Sequence, residues 1–418
     1  MGQAGAERSS AVTEVRILRL AAGGDGVGRL PDGRTVFVPR TAPGDLVEVT
    51  AIHQHKRFAR ARVGRLLEPS PQRVEPRCPH YVRDECGGCQ LQHIDNETQL
   101  DSRRAFVGDA LRRIAKRDAP DPPIVPARKT YDYRTKLTLH VVTGGRRIGL
   151  HRFQRADEIF DLKWCHITVP ELMELWQTVR KLRSLLPPAL QQIVLRLDRT
   201  GARHLLVRVG PGEVWSGAER LYRELVLRGT PATIWWQPEG GVGRAMAGSQ
   251  EAFPATVFEQ VHPEMGDRVR KFAVQQLGDV SGRRVWDLYA GIGETTDHLA
   301  VGGAAVESVE LDTRAVAEAE ARGPGAARRH VGRVEDILRE LRRPDLVIAN
   351  PPRTGMDQRV TAELERLRPA RLVYISCDPA TLARDLQRLP GFRLVLTQAF
   401  DLFPQTTHVE TVAVLEPA

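Results

Sequence analysis

The sequence predicts an α/β protein: a doubly wound carboxyl-terminal half, preceded by a small β-barrel and a mixed α/β middle. Three observations carry that reading. From about Pro263 onward, short apolar runs alternate with helical periodicity, the pattern of a sheet covered by helices. Residues 11–68 hold short alternating runs divided by glycine turns. Four of the five cysteines, at 78, 86, 89 and 165, fall between these regions or in the middle one.

In chain order, Val12–Leu18, Thr35–Val38, Asp45–Thr50 and Phe58–Val63 read as strands, with Gly23–Gly28 and Pro31–Gly33 as turns. About five such strands suggest an OB-like barrel over 11–68, a frequent reader of single-stranded nucleic acid. The linker Glu68-Pro-Ser-Pro71 leads to a cysteine segment at 69–95. A helix is expected over 98–116, its apolar side formed by Leu100, Phe106, Val107, Ala110, Leu111 and Ile114, and it is available to pack on the carboxyl-terminal domain. Ala119–Pro126 holds four prolines and reads as a break. The middle domain is expected over 96–262. It has strands at Thr135–Val142 and Arg147–Arg152 around Gly144-Gly145, a helix at Pro170–Leu186, and a hairpin of Gln192–Leu197 with Arg203–Val209. The last domain is 263–418.

At 418 residues and 41% hydrophobic, the chain can build several cores. No apolar run approaches the ~18 residues of a membrane span. Met1–Ser10 lacks an apolar signal-peptide core. A cytoplasmic protein with no membrane partner is therefore expected, and no obligate protein partner is implied. The formal net charge of +9, with basic segments such as Lys56-Arg57, Arg103-Arg104 and Arg112-Arg113, favours a polyanion such as nucleic acid. An arginine-rich proteome would give the same composition.

An odd cysteine count without an export signal argues against a disulfide framework. Cys78, Cys86 and Cys89 are spaced C-x7-C-x2-C, with Cys165 far along the chain. The two glycines of Cys86-Gly-Gly-Cys89 let both sulfurs turn toward one metal centre. Four thiolates suit zinc or an iron–sulfur cluster.

Arg284–Gly293 reads as a strand running into a glycine turn and then a helix at Thr295–Ala300. Glu310 ends the next strand, about twenty residues after Asp287, the offset at which an acid meets ribose hydroxyls. There is no G-x-G-x-x-G and no Walker lysine, so a nucleoside without phosphates fits better than a dinucleotide. S-adenosylmethionine meets that description. Asp345–Ala349 is a further strand, ending in Asn350-Pro-Pro-Arg353, whose prolines fix the Asn350 amide at the strand tip. Cys377 follows the apolar run Arg371–Ser376, and chemistry in open α/β sheets sits past strand carboxyl ends. It is a nucleophile candidate; the plainer reading is a small buried hydrophobe.

Taken together, Gly24–Arg29 with Val36–Pro39, the cysteine segment, Asp287–Gly293, Asn350–Arg353, Ile375–Pro379 and His408-Val-Glu410 resemble the RNA 5-methyluridine (uracil-C5) methyltransferases, over nearly the whole chain. The resemblance implies a Rossmann-like class I methyltransferase domain, a TRAM domain at the amino terminus and a central domain carrying a [4Fe–4S] cluster on Cys78, Cys86, Cys89 and Cys165. It implies Cys377 as the nucleophile on uracil C6 and Glu410 as the base that removes the C5 proton. It also implies Gln260, within Val257–His262, as a donor contact, Tyr289 packing on the donor and Glu310 on its ribose, with Asp287, Gly291, Glu294 and Asn350 around them. The closest branch is the 23S rRNA enzymes, so ribosomal RNA is favoured over transfer RNA as partner.

The chain departs from the family at three donor-site positions: Asn350 stands for Asp, Glu294 for Asn and His262 for Asn. Asn350 keeps a carbonyl but loses a charge, and Glu294 adds one near a cationic donor. The gap between Cys78 and Cys86 is two residues longer than the family's. Two rivals remain. Exocyclic-amine methyltransferases share Asn-Pro-Pro, but they place an aromatic next and need no thiolate. A non-catalytic iron–sulfur RNA-binding protein would keep the modules without the chemistry.

Overall fold

The computed structural model describes residues 13–142, 147–211, 215–249, 260–322 and 327–418. The Gly144-Gly145 turn and the Val257-Phe-Glu part of the 257–262 motif lie outside them. The chain forms two compact units. One comprises the residues up to Arg77, Cys89–Phe106 and Gln405–Thr407; the other comprises Cys78–Gly88, Val107–Pro404 and His408–Ala418.

The first unit is built on β1 (Thr13–Arg16), β2 (Arg19–Leu20), β3 (Gly26–Arg29), β4 (Thr35–Val38), β5 (Leu46–Gln54) and β6 (Phe58–Glu68), in the order β1-β5-β6-β4-β3-β2. β1 and β2 act as one bent strand. β1 pairs with β5, while Leu18 N–H and β2 bond to β3, which closes the barrel. Alternate residues point inward, so Val15, Val36, Val38, Val47, Val49 and Ala59 form its core. Two motif glycines are required by space. A Cβ on Gly26 would meet Thr41 Oγ1 at 2.0 Å, and one on Gly28 would meet Val15 Cγ1 at 2.2 Å.

The second unit contains α1 (Pro79–Arg83), the carboxyl-terminal half of α2 (Asn96–Arg113) and two sheets. The helix expected at 98–116 starts two residues earlier, capped by Asp95, whose Oδ1 accepts from Thr98 N–H at 2.7 Å, and it ends before Ile114. Ile114 is exposed rather than on the apolar side, whereas Val107, Ala110 and Leu111 join the core of the carboxyl-terminal sheet. The expected break at 119–126 contains the short β7 (Ile124–Val125), which adds in parallel to the outer strand of that sheet.

The central sheet is formed by β8 (Lys136–Val141), β9 (Ile148–Arg152), β10 (Arg155–Asp161), β11 (Leu190–Leu197), β12 (Arg203–Val209), β13 (Thr233–Pro238) and β14 (Arg244–Ala247), with α3 (Pro170–Lys181) and α4 (Ala218–Leu227) packed on it. After α5 (Pro263–Gln276) come β15 (Arg284–Leu288), α6 (Glu294–Val301), β16 (Ala305–Glu310), α7 (Thr313–Arg322), β17 (Arg328–Val331), α8 (Val334–Ile337), β18 (Leu346–Ala349), α9 (Gln358–Leu367), β19 (Arg371–Ser376), α10 (Pro379–Gln387), β20 (Phe392–Phe400) and β21 (Glu410–Pro417). Their order is β17-β16-β15-β18-β19-β21-β20-β7. β15 to β19 are parallel, and β21 is antiparallel to both of its neighbours. Both faces are covered, so alternate residues feed opposite cores: Leu372 and Tyr374 enter one, Val373 and Ile375 the other. That is why these strands read as unbroken apolar runs. The strand order reverses between β15 and β18, which opens a crevice at their carboxyl ends.

Candidate active site

The turn after β15 lies in that crevice. Tyr289, Gly291 and Gly293 all have positive φ, of 63°, 57° and 78°. Gly293 also needs space, because a Cβ there would come 2.7 Å from Arg329 Nη1. Asp287 is buried, and its Oδ2 accepts a 2.6 Å hydrogen bond from Thr296 Oγ1. Burial pushes its carboxyl up to about 7, against the hydrogen bond from Thr296 and the charge of Arg329. Glu310 braces the turn from the next strand: its Oε2 accepts from Gly291 N–H and its Oε1 from Asp312 N–H, both at 2.8 Å. Each oxygen keeps a lone pair for another donor. Beyond Glu310, Leu311 and Val331 expose large apolar side chains at the ends of β16 and β17. Tyr289 is half-buried against the sheet core, and its hydroxyl accepts from the backbone of Asp357. Asn350 N–H bonds to Leu288 O at 3.1 Å, which sets Asn350 at the adjacent strand tip.

Gln260 packs on α5, where a Cβ on Gly266 would stand 3.0 Å from its Cβ. His262 precedes that helix, and its ring stacks on Tyr133 at 4.9 Å; burial pushes it down to about 4, so it is neutral. Glu294, expected to present a charge to the donor, is instead bound by arginines: Arg270 Nη1 reaches its Oε2 at 3.0 Å, and Arg199 pairs with its Oε1.

The second cluster forms one step along the sheet. β19 and β21 run antiparallel with Ser376 opposite Thr411, so the next pair outward is Cys377 and Glu410. Cys377 is half-buried, at the start of α10, where Asp378 caps the helix by accepting from Ala380 and Thr381 N–H at 2.9 Å. Burial and then the charge of Glu410 push the Cys377 thiol up; Arg353 opposes both by its charge and a hydrogen bond to the sulfur. Glu410 is only 2% exposed, and its Oε2 has no hydrogen-bond partner among the described residues. Burial pushes it up to about 8, with Arg353 again opposing. Arg353 Nη2 also lies 3.4 Å from His408 Nε2, and burial together with Arg353 pushes His408 down to about 4. Arg134, from the start of the central sheet, adds positive charge beside His408. The loop bearing Arg353 is anchored by Asp385, which is fully buried and whose Oδ2 accepts from Met356 N–H at 2.7 Å and Tyr374 Oη at 2.8 Å. Arg353 and His408 belong to the motifs Asn350–Arg353 and His408–Glu410, and the sequence alone assigns neither a role. The signal was a cation directly after a rigid Pro-Pro turn.

Of the cysteine set, Cys78 and Cys165 stand close enough for their charges to interact, and burial pushes the Cys78 thiol up. Gly88 N–H donates to Cys86 Sγ at 3.4 Å, and Gly87 N–H to His151 O at 3.0 Å, which holds the Gly-Gly turn on β9. Among the described residues, no group of three or more His, Cys, Asp or Glu side chains converges as a metal site.

The carboxyl-terminal residues 304–417 match the family model described as tRNA (Uracil-5-)-methyltransferase, and residues 10–63 match the TRAM domain. An uncharacterized RNA methyltransferase of Gloeobacter violaceus is 32% identical, over 96% of each chain. The 23S rRNA (uracil(1939)-C(5))-methyltransferase of Thiobacillus denitrificans is 30% identical, over 96% of this chain and 99% of its own. The chain belongs to the RNA (uracil-C5) methyltransferase family. Its fold is that of the Pyrococcus abyssi tRNA (uracil-54, C5)-methyltransferase, solved with S-adenosyl-L-homocysteine: the TM-score is 0.72 at 24% identity, over 97% of this chain and all of that one. It is an enzyme with a class I methyltransferase domain and an amino-terminal TRAM domain.

Proposed function

We propose that this enzyme methylates C5 of a uridine in large-subunit ribosomal RNA, with Cys377 as nucleophile and Glu410 as base. The observation that carries the reading is the pocket at the ends of β19 and β21. There one arginine, Arg353, faces both a half-buried thiol and a buried carboxyl. Uracil C5 is a weak nucleophile. Addition of Cys377 Sγ at C6 breaks the C5–C6 π bond and moves its electron pair onto C5 and the C4 carbonyl. Arg353 favours the thiolate that this step needs. When bound, S-adenosylmethionine would supply a methyl group on a sulfonium: C5 would take it as the S–CH3 bond breaks, the electron pair of that bond staying on sulfur as a neutral thioether. C5 then carries both methyl and hydrogen, and Glu410 takes the proton. The electron pair of that C–H bond re-forms C5=C6, and the C6–S pair returns to Cys377. The target base must leave its stack to reach the thiol.

In this reading Gln260, Asp287, Tyr289, Gly291, Glu310 and Asn350 hold the donor, and Glu294 shapes the turn beside it. Cys78, Cys86, Cys89 and Cys165 hold a structural [4Fe–4S] cluster; four buried thiols are the right donors for it. On the barrel, Phe37 and Phe58 with His55 and Arg60 form an aromatic and basic platform suited to unstacked bases. The domain division at 11–68, 69–95, 96–262 and 263–418 belongs to the same reading, as does a cytoplasmic site of action. No described helix is long and apolar enough to cross a membrane.

The test is methyl transfer on unmodified 23S rRNA and tRNA by anaerobically prepared protein, read by nucleoside mass spectrometry, with Cys377→Ala in parallel. The expected product is 5-methyluridine in 23S rRNA, absent with Cys377→Ala. A response from tRNA alone would move the substrate assignment. Activity without Cys377, or a methylated amine as product, would overturn the mechanism.

A further inference from the structure

The hairpin joining β11 and β12 is built to deliver one guanidinium to the catalytic domain. Its tip, Asp198-Arg-Thr-Gly201, is locked from inside. Asp198 Oδ1 accepts from Thr200 N–H and Ala202 N–H at 2.9 Å, and from Thr200 Oγ1 at 2.8 Å. Asp198 Oδ2 lies 3.0 Å from Nε2 of His204, which is buried. Trp235 Nε1–H donates to His204 Nδ1 at 3.2 Å, so the ring proton sits on Nε2 and points at Asp198. A buried Trp–His–Asp chain thus stiffens the loop, and a stiff loop fixes where Arg199 points.

Arg199 meets Glu294, the first residue of α6, immediately after Gly293. From the other side Arg270 of α5 takes the second carboxylate oxygen, and Arg270 is itself paired with Asp267. The helix start needs such a brace. The preceding turn has three residues at positive φ, α6 is short, and no side chain caps its amino terminus. With no cap, the start of the helix is braced through the ion pairs of Glu294.

We propose that Arg199 is a positioning residue for methyl transfer: the central sheet reaches across to the donor turn and fixes it through Glu294. The central sheet then does more than frame the RNA side of the pocket. Its hairpin sets donor affinity. Glu294 is the receptor for that arm rather than a donor ligand, and the acid at this position matches the arginine on the hairpin. The inference rests on reading Asp287–Gly293 as the donor turn.

The experiment is calorimetric titration of S-adenosylhomocysteine into the full-length protein. It compares wild type, Arg199→Ala, Arg199→Lys, Glu294→Asn and the double variant Arg199→Ala/Glu294→Asn. Thermal unfolding midpoints and steady-state KM for the donor are read alongside. Arg199→Ala should bind about fivefold to tenfold more weakly, the size of one half-exposed ion pair made in an organised site. Arg199→Lys should recover most of that loss, and the loss should appear in donor KM. In the Glu294→Asn background, Arg199→Ala should cost nothing further. If Arg199→Ala lowers the unfolding midpoint yet binds as wild type does, the pair is only a domain contact and the proposal is wrong. If wild type itself fails to bind, the donor-turn reading falls and the inference with it.

Discussion

Replacing Glu410 by glutamine should abolish methyl transfer and at the same time stabilise the protein, by an amount that grows with pH. The side chain is buried, and its carboxyl is raised from 4.5 to about 8, by burial and against Arg353. For an acid whose folded value is raised, the fold holds a proton that the unfolded chain releases. Below about 4.5 both states are protonated and nothing is lost. As pH rises toward 8 the unfolded state gains, and stability falls by up to ~1.4 kcal/mol per pH unit. At pH 7 the wild type therefore forgoes roughly 3 kcal/mol at this residue, which a neutral side chain of the same shape does not. Urea unfolding at pH 5, 6, 7 and 8 measures it. The difference between Glu410→Gln and wild type should be under about 1 kcal/mol at pH 5 and widen steadily to pH 8. A difference independent of pH, or a variant less stable than wild type at pH 7, would refute the claim that burial holds Glu410 protonated. Retained methyl transfer would refute its role as base.

Three further outcomes are expected. Arg353→Ala removes the cation shared by Cys377 and Glu410, so methyl transfer should fall by about a hundredfold to a thousandfold; alkylation of Cys377 by iodoacetamide at pH 7.5 should slow in parallel, measured by intact mass. Because burial raises Cys377 and holds Glu410 near 8, kcat/KM should climb with pH from 6.5 to 8.5; a flat profile would exclude both groups as the titrating pair. Phe58→Ala removes the barrel ring that stacks on His55 and meets Phe37 edge-on, and should weaken RNA binding by about 1–3 kcal/mol in a filter assay while leaving donor affinity as in wild type.

Cys377 was legible because a strand's carboxyl end can be found locally, from one apolar run and one helix start. Glu410 was not legible from spacing. It faces Cys377 only because β21 returns antiparallel between β19 and β20, and a final antiparallel insertion leaves no mark on a pattern of alternating strands and helices. β7 was hidden for a related reason: prolines flank Ile124–Val125, and two residues joining a sheet edge look like a break. Ile114 was misplaced because helical periodicity does not say where the helix stops. The pairing of Glu294 is the longest reach of all. Its partners come from α5 and from a hairpin on a different sheet, so only the fold reveals that its charge is already spoken for.

The sequence offers +9 as an argument for a polyanionic partner. Several arginines nonetheless face inward. Arg103 is fully buried and donates to Thr406 O at 3.1 Å, and the Arg329 side chain is 6% exposed and bonded to Asp297 of α6 at 2.7 Å. Arg270 pairs with Glu294, and the charge of Arg353 acts on Glu410. These positions call for arginine rather than lysine. A guanidinium stays charged when buried and can serve two acceptors at once, whereas a buried ammonium tends to shed its proton. The same residue type thus meets two needs: at the barrel surface Arg60 lies over the Phe37 ring, and inward Arg353 opposes the rise of the Cys377 thiol and the Glu410 carboxyl. Arg270 and Arg329 sit against acids, so those pairs cancel within the net +9; it is the number of arginines, not the net charge, that overstates what the surface presents.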